Sequence, residues 1–160
     1  MIDRKTAVFL AKFFSIFIFL EAVVISQNFQ FLQEFIASTQ AGILGLESLG
    51  NLVLVNGNSF QIVSSCTGLV SGSVLAAIIF SLRKPRLKLK AIIFAAGFGG
   101  LLVLNYFRVL MVLWSAREFG VDIAGAVHVV SWFATVAFVL FLWYHITKQV
   151  TGARDFSGFL

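Results

Sequence analysis

The sequence predicts an all-α polytopic membrane protein, and three observations carry that expectation. Hydrophobic residues make up 59% of the 160-residue chain, against roughly 45–50% in soluble proteins, and charged residues 12% against about 25%. Several apolar runs reach the roughly 20 residues a helix needs to cross a ~30 Å hydrocarbon core. The basic residues are gathered into short flanks instead of being spread over a surface. A soluble domain of this size would have to bury nearly all of those runs, whereas small domains leave a large share of their surface in water. Residues 1–160 therefore read as one integral membrane domain.

Four transmembrane helices are expected, at about residues 6–26, 64–82, 91–114 and 126–147. Arg4 and Lys5 precede the first, while Arg83, Lys84, Arg86, Lys88 and Lys90 crowd the loop between the second and third. Lys148 and Arg154 follow the fourth. Nine of the twelve Lys and Arg residues thus share one side; only Arg117 falls in an outside loop, and Lys12 and Arg108 lie within spans. The positive-inside rule then puts both termini in the cytoplasm. The first run exceeds a signal-peptide core of about 7–15 residues, so it reads as an uncleaved span. Lys12 is read as snorkelling to the interface. The net charge of +5 follows from this topology, and no nucleic-acid partner is expected, because the 83–90 cluster has no interleaved aromatics to stack bases.

The longest stretch between spans, residues 27–63, carries Glu34 and Glu47 and no Lys or Arg, and is placed outside. Phe29, Leu32, Phe35 and Ile36 recur at helical spacing, which fits either an interfacial helix or a continuation of the first span. Further on, Asn56-Gly57 between two β-branched runs is a type I′ hairpin signal, and such a hairpin delivers the chain to Cys66. Gly68 and Gly72, with Ala96, Gly97, Gly99 and Gly100, favour close packing of the second span on the third. Pro85 sits in the basic loop, where it can end a helix without breaking a span.

Three side chains stand out against this apolar background. Cys66 is the sole cysteine, which excludes an internal disulfide or a Cys-x-x-Cys pair. It is either an inert packing residue or a nucleophile, and a position at a helix start near a cation would favour its thiolate. Arg108 lies roughly 9 Å inside the outer end of the third span, too deep for an incidental surface charge. Asn105, at i−3, adds a second polar group to its face. His128 opens the fourth span on the outside and can move protons near neutral pH. His145, at the other end of that helix, reads as a residue that only satisfies hydrogen bonds.

The topology, derived without these residues, puts all three at one external level. A thiolate to attack a carbonyl, an imidazole to move protons and a guanidinium to stabilise an oxyanion are the roles acyl transfer needs. Glu21 is close in depth to Arg108 and is expected as its buried counter-ion, with Asp122 as the competing partner. No metal or cofactor is assigned. A non-catalytic assembly or transporter-type protein, with a structural Arg–Glu pair and an inert cysteine, is the alternative.

Cys66-Thr67-Gly68, Asn105-x-x-Arg108 and His128 at the start of the next helix resemble the exosortase/archaeosortase family of polytopic membrane proteins, over about residues 50–135. The resemblance implies a cysteine transpeptidase of the prokaryotic plasma membrane with its site on the extracytoplasmic side. Cys66 would be the nucleophile, Arg108 and His128 its partners, and Asn105, Thr67 and Gly68 supporting residues. Its substrates would be exported proteins whose C-terminal sorting signal ends in a transmembrane helix and a basic tail. A thioester on Cys66 would be resolved by an amine, of a membrane lipid or another acceptor. Many members carry more than four spans, so a chain this small would hold the substrate helix between its own spans, or work with a partner or as a homo-oligomer.

Overall fold

The computed structural model describes residues 3–27 and 29–152, without the side chains of residues 150 and 151; Arg154 lies outside the described residues. The fold is mostly helical, with a small three-stranded antiparallel sheet. Three helices are long and apolar enough to cross a membrane: α1 (Arg4–Gln27), α4 (Leu87–Phe119) and α5 (Val121–Thr151). Asp3 Oδ1 accepts a hydrogen bond from the Thr6 amide at 3.0 Å. That bond caps α1 and holds the Asp3 carboxyl below its ordinary pKa.

Where the sequence left two readings of residues 29–36 open, the chain forms a separate helix, α2 (Gln30–Leu44). Its buried stripe is Gln33, Ile36, Ala37, Gln40 and Ala41, the i, i+3, i+4, i+7, i+8 pattern of one helical face. Phe31, Phe35 and Ile43 remain exposed, so α2 is apolar on its free face as well. The expected hairpin is present as β2 (Leu52–Val55) and β3 (Asn58–Gln61). Asn56 and Gly57 both take positive φ, 50° and 79°, the backbone a type I′ turn requires. A third strand that the sequence does not announce, β1 (Glu47–Leu49), extends the hairpin into a meander. Val53 and Val55 point into the core while Leu54 faces out, the period-two alternation of a half-buried strand.

Two expected boundaries are corrected. The span expected over 64–82 begins as a 3-10 turn at Ser64–Cys66, breaks at Thr67-Gly68, and continues as α3 (Leu69–Ser81). At 13 residues that helix is about 20 Å long, shorter than the other three. The outside loop expected at 115–125 is absent: α4 runs to Phe119 and α5 starts at Val121, hinged on Gly120 alone.

The helices pack α1 on α3, α3 on α4 and α4 on α5. One apolar core lies among α3, α4 and α5, built on Leu75, Ile79, Leu101, Val139 and Trp143. The other joins α2 and the sheet to the distal end of α4 through Val53, Val55, Val109 and Leu113, and includes Cys66. The start of α1 lies beside the end of α3, with Arg4 and Lys5 near Ser81 and Arg83. The basic flanks therefore gather at one end of the helices, and Cys66 with the sheet at the other.

The α3–α4 contact rests on close approach. A Cβ at Gly72 would run into the Phe98 ring, and one at Gly97 would meet Leu75 Cδ2 at 3.2 Å. Gly99 and Gly100 have open space around them, so only part of the small-residue stripe mediates packing. Gly72→Val is expected to destabilise the fold by about 1–3 kcal/mol through overpacking, whereas Gly99→Ala is expected to be neutral or slightly stabilising. Thermal unfolding of both variants in detergent micelles checks the contrast, and equal melting temperatures would contradict it.

Candidate functional site

Cys66 is positioned by the break between the 3-10 turn and α3. Its amide donates to the Val63 carbonyl at 2.8 Å, and the Thr67 amide to the Ser64 carbonyl at 3.2 Å. Thr67 Oγ1 donates to the Ser64 carbonyl at 2.7 Å and accepts from the Leu69 amide at 3.4 Å, so its hydroxyl shapes the corner and caps α3. Gly68 follows at φ 85°, and a Cβ there would lie 3.3 Å from Asn105 Cβ, Leu101 Cδ2 and Leu102 Cδ2. Only glycine meets both demands, a left-handed backbone and contact with α4. Asn105 Nδ2 then donates to the Cys66 carbonyl at 2.5 Å, tying the cysteine to α4 one turn from Arg108.

Arg108 is 4% exposed, and its Nε and Nη1 are buried without a hydrogen-bond partner. The guanidinium is within electrostatic range of both Cys66 and His128, so the three side chains singled out from sequence lie in one region of the fold. His128 is exposed on α5, and its carbonyl accepts from Ser131 Oγ at 3.1 Å. Arg108 also lines an open groove of about 610 Å³ between α4 and α5, whose other walls include Phe107, Met111, Val127, Val130, Ser131 and Thr135.

Two expectations change. Cys66 does not stand at an α-helix N-terminus, since α3 begins at Leu69; of the two influences expected to favour a thiolate, the neighbouring cation remains. Glu21 is not the counter-ion of Arg108. It sits on α1, which packs on α3, and its Oε2 is itself buried without a partner. Asp122 is exposed in the first turn of α5. Among the described residues the only ion pair joins Arg117 to Glu118. His145 behaves as expected, with Nδ1 hydrogen-bonded to the Phe141 carbonyl at 2.9 Å.

A set of amides that sequence reasoning passed over holds the site from the outside. Gln33 Nε2 donates to Ser64 Oγ at 3.1 Å, Asn51 Nδ2 to Gln33 Oε1 at 3.2 Å and to the Ile62 carbonyl at 3.0 Å. Gln40 Nε2 donates to the Tyr106 carbonyl at 2.8 Å, and Tyr106 Oη is 3.0 Å from Thr39 Oγ1. Arg117 Nη1 donates to the Leu44 carbonyl at 2.6 Å, and Asn56 Nδ2 to the Arg117 carbonyl at 2.8 Å. These bonds clamp α2 and the sheet over the Cys66 corner and the outer part of α4. The signal for these two glutamines was in the sequence: Gln33 and Gln40 are seven residues apart, on a face of α2 otherwise formed by Ile36, Ala37 and Ala41.

Compared with protein-family models, curated proteins and solved structures, the chain matches none.

The site's chemistry depends on a cation with donor capacity to spare. An unpaired guanidinium is poised to receive a negative charge, whether a thiolate or an oxyanion. Arg108→Met is expected to slow disulfide labelling of Cys66 by an anionic methanethiosulfonate about tenfold, and Arg108→Lys to slow it less, because an unpaired cation draws a negative reagent toward the site. Labelling rates with that reagent, followed by intact-mass measurement, test this. Equal rates in all three proteins would mean that the guanidinium does not draw an anion to the site.

Proposed function

We propose that this chain is a membrane-embedded cysteine transpeptidase that cleaves a C-terminal sorting signal from exported proteins and transfers them to an amine acceptor. The observation that carries the reading is Arg108, buried with two unpartnered donor nitrogens and within electrostatic range of the sole thiol and of an exposed imidazole. Burying a guanidinium without a partner costs several kcal/mol, a cost that function explains and packing does not. The motifs Cys66-Thr67-Gly68, Asn105-x-x-Arg108 and His128 resemble the exosortase/archaeosortase family, and the reaction class follows that resemblance.

In this reading the Cys66 thiolate attacks the carbonyl carbon of the scissile peptide bond, and Arg108 donates hydrogen bonds to the oxygen as it takes up negative charge. Collapse breaks the C–N bond. His128 gives the departing amine its proton, and the acyl group stays on sulfur as a thioester. An incoming amine attacks that thioester and yields its proton to His128, and the C–S bond breaks to restore the thiolate. A membrane lipid or another amine serves as acceptor, and water in its place would make the chain a protease. The mostly apolar groove between α4 and α5 offers a substrate helix a wall that includes Arg108.

The same reading fixes the membrane frame. Four crossings with both termini in the cytoplasm put the basic end inside and Cys66, Arg108 and His128 at the extracytoplasmic side of a prokaryotic plasma membrane. The short α3 reaches from the basic turn only to the Thr67-Gly68 corner, which leaves Cys66 recessed below the level of α2 and the sheet. The exposed Phe31, Phe35 and Ile43 of α2 suit an interfacial position.

Co-expression with an exported reporter ending in an apolar helix and an Arg/Lys-rich tail tests the proposal. Wild type is expected to shorten the reporter. Cys66→Ala is expected to abolish processing, and Arg108→Ala and His128→Ala to lower it at least about 100-fold, each with unchanged membrane abundance. Full processing by Cys66→Ala would remove the transpeptidase reading and favour a non-catalytic membrane protein.

A further inference from the structure

The opposite end of the molecule holds a second cluster of unneutralised charge. Arg4, Lys5 and Lys12 of α1 and Arg83, just beyond α3, line a cleft of about 310 Å³ together with Val8, Phe9 and Ser81. Lys90, at the start of α4, is within electrostatic range of Lys12, and its Nζ donates to the Leu82 carbonyl. Five cations from three elements thus converge, and none forms an ion pair among the described residues. The nearest acid, Asp3, is in electrostatic range of Lys5 but is engaged in capping Thr6. Arg4, Lys5, Lys12 and Arg83 are exposed, so an anion can reach them; like charges held in one cleft repel, and an anion between them reverses the sign of that interaction.

We propose that this cleft is a binding site for the phosphate of an anionic phospholipid headgroup. Lys12 lies eight residues along α1 from Arg4, about 12 Å, so the charge runs from the interface down toward the acyl region, as a lipid phosphate and glycerol would require. Val8 and Phe9 supply an apolar wall beside the cations, which a free phosphate ion would not use and a lipid would. Cationic clusters beside membrane helices bind anionic lipid with about 1 kcal/mol per Lys or Arg. The site is remote from Cys66 and does not depend on the chain being a transpeptidase.

Native mass spectrometry of the full chain in detergent, with phosphatidylglycerol, phosphatidylcholine or inorganic phosphate added separately, tests the proposal. Wild type is expected to retain phosphatidylglycerol in preference to phosphatidylcholine, and inorganic phosphate to displace it only weakly. The double variant Lys12→Gln/Arg83→Gln is expected to lose roughly tenfold or more in phosphatidylglycerol binding. Lys84→Gln/Lys88→Gln, which alters basic residues outside the cleft, is expected to keep it. Matching thermal unfolding of the two double variants excludes a folding defect as the cause. Equal loss in both double variants, or no preference over phosphatidylcholine, would overturn the site; displacement by inorganic phosphate at the lipid's own concentration would overturn its assignment to a lipid.

Discussion

Everything at the candidate site depends on how closely the corner before α3 approaches α4. A thiol on one element meets a guanidinium on another only if the backbones come near enough, and Gly68 is the residue that allows it. Its left-handed φ turns the chain from the 3-10 turn into α3, and its missing Cβ lets Leu101, Leu102 and Asn105 of α4 sit against it. The amide of Asn105 then fixes the corner by donating to the Cys66 carbonyl. With that bond in place, Arg108 on the next turn of α4 is within electrostatic range of Cys66. Thr67 reinforces the corner from within by closing on the Ser64 carbonyl.

Burial gives this geometry its chemical character. A surface arginine would spend its donors on water, but Arg108 is enclosed and keeps two nitrogens uncommitted. α2 and the sheet close over the same end of α4. Gln33 and Gln40 are anchored on Ser64 and on the Tyr106 carbonyl, and Val53 and Val55 pack into the same core as Cys66. The groove between α4 and α5 leaves one approach to the guanidinium open. His128 is exposed on α5, while Cys66 is buried.

Much of this was legible in the sequence, because strong signals reported it. Apolar runs of spanning length marked α1, α4 and α5, and Asn56-Gly57 marked the hairpin. The placement of Cys66 at the end of the helices away from the basic flanks was expected from the charge pattern. What was not legible depended on tertiary contact. Apolar composition cannot show that residues 64–68 leave the helix, since the break is imposed by packing against Leu101 and Asn105. The loop expected near Arg117 vanished because helix continues to Gly120, with Arg117 drawn to the Leu44 carbonyl. Depth also failed for Glu21: two residues at one level pair only if their helices are neighbours, and α1 lies against α3.

The most direct test of a nucleophilic Cys66 is to look for the acyl group it would carry. Wild-type chain incubated with a sorting-signal peptide, quenched in acid and weighed intact, is predicted to gain the mass of the cleaved acyl fragment on Cys66, and hydroxylamine is predicted to release it. Turnover of the peptide by the same preparation with no hydroxylamine-sensitive adduct at Cys66, even when acceptor amines are withheld, would contradict the account.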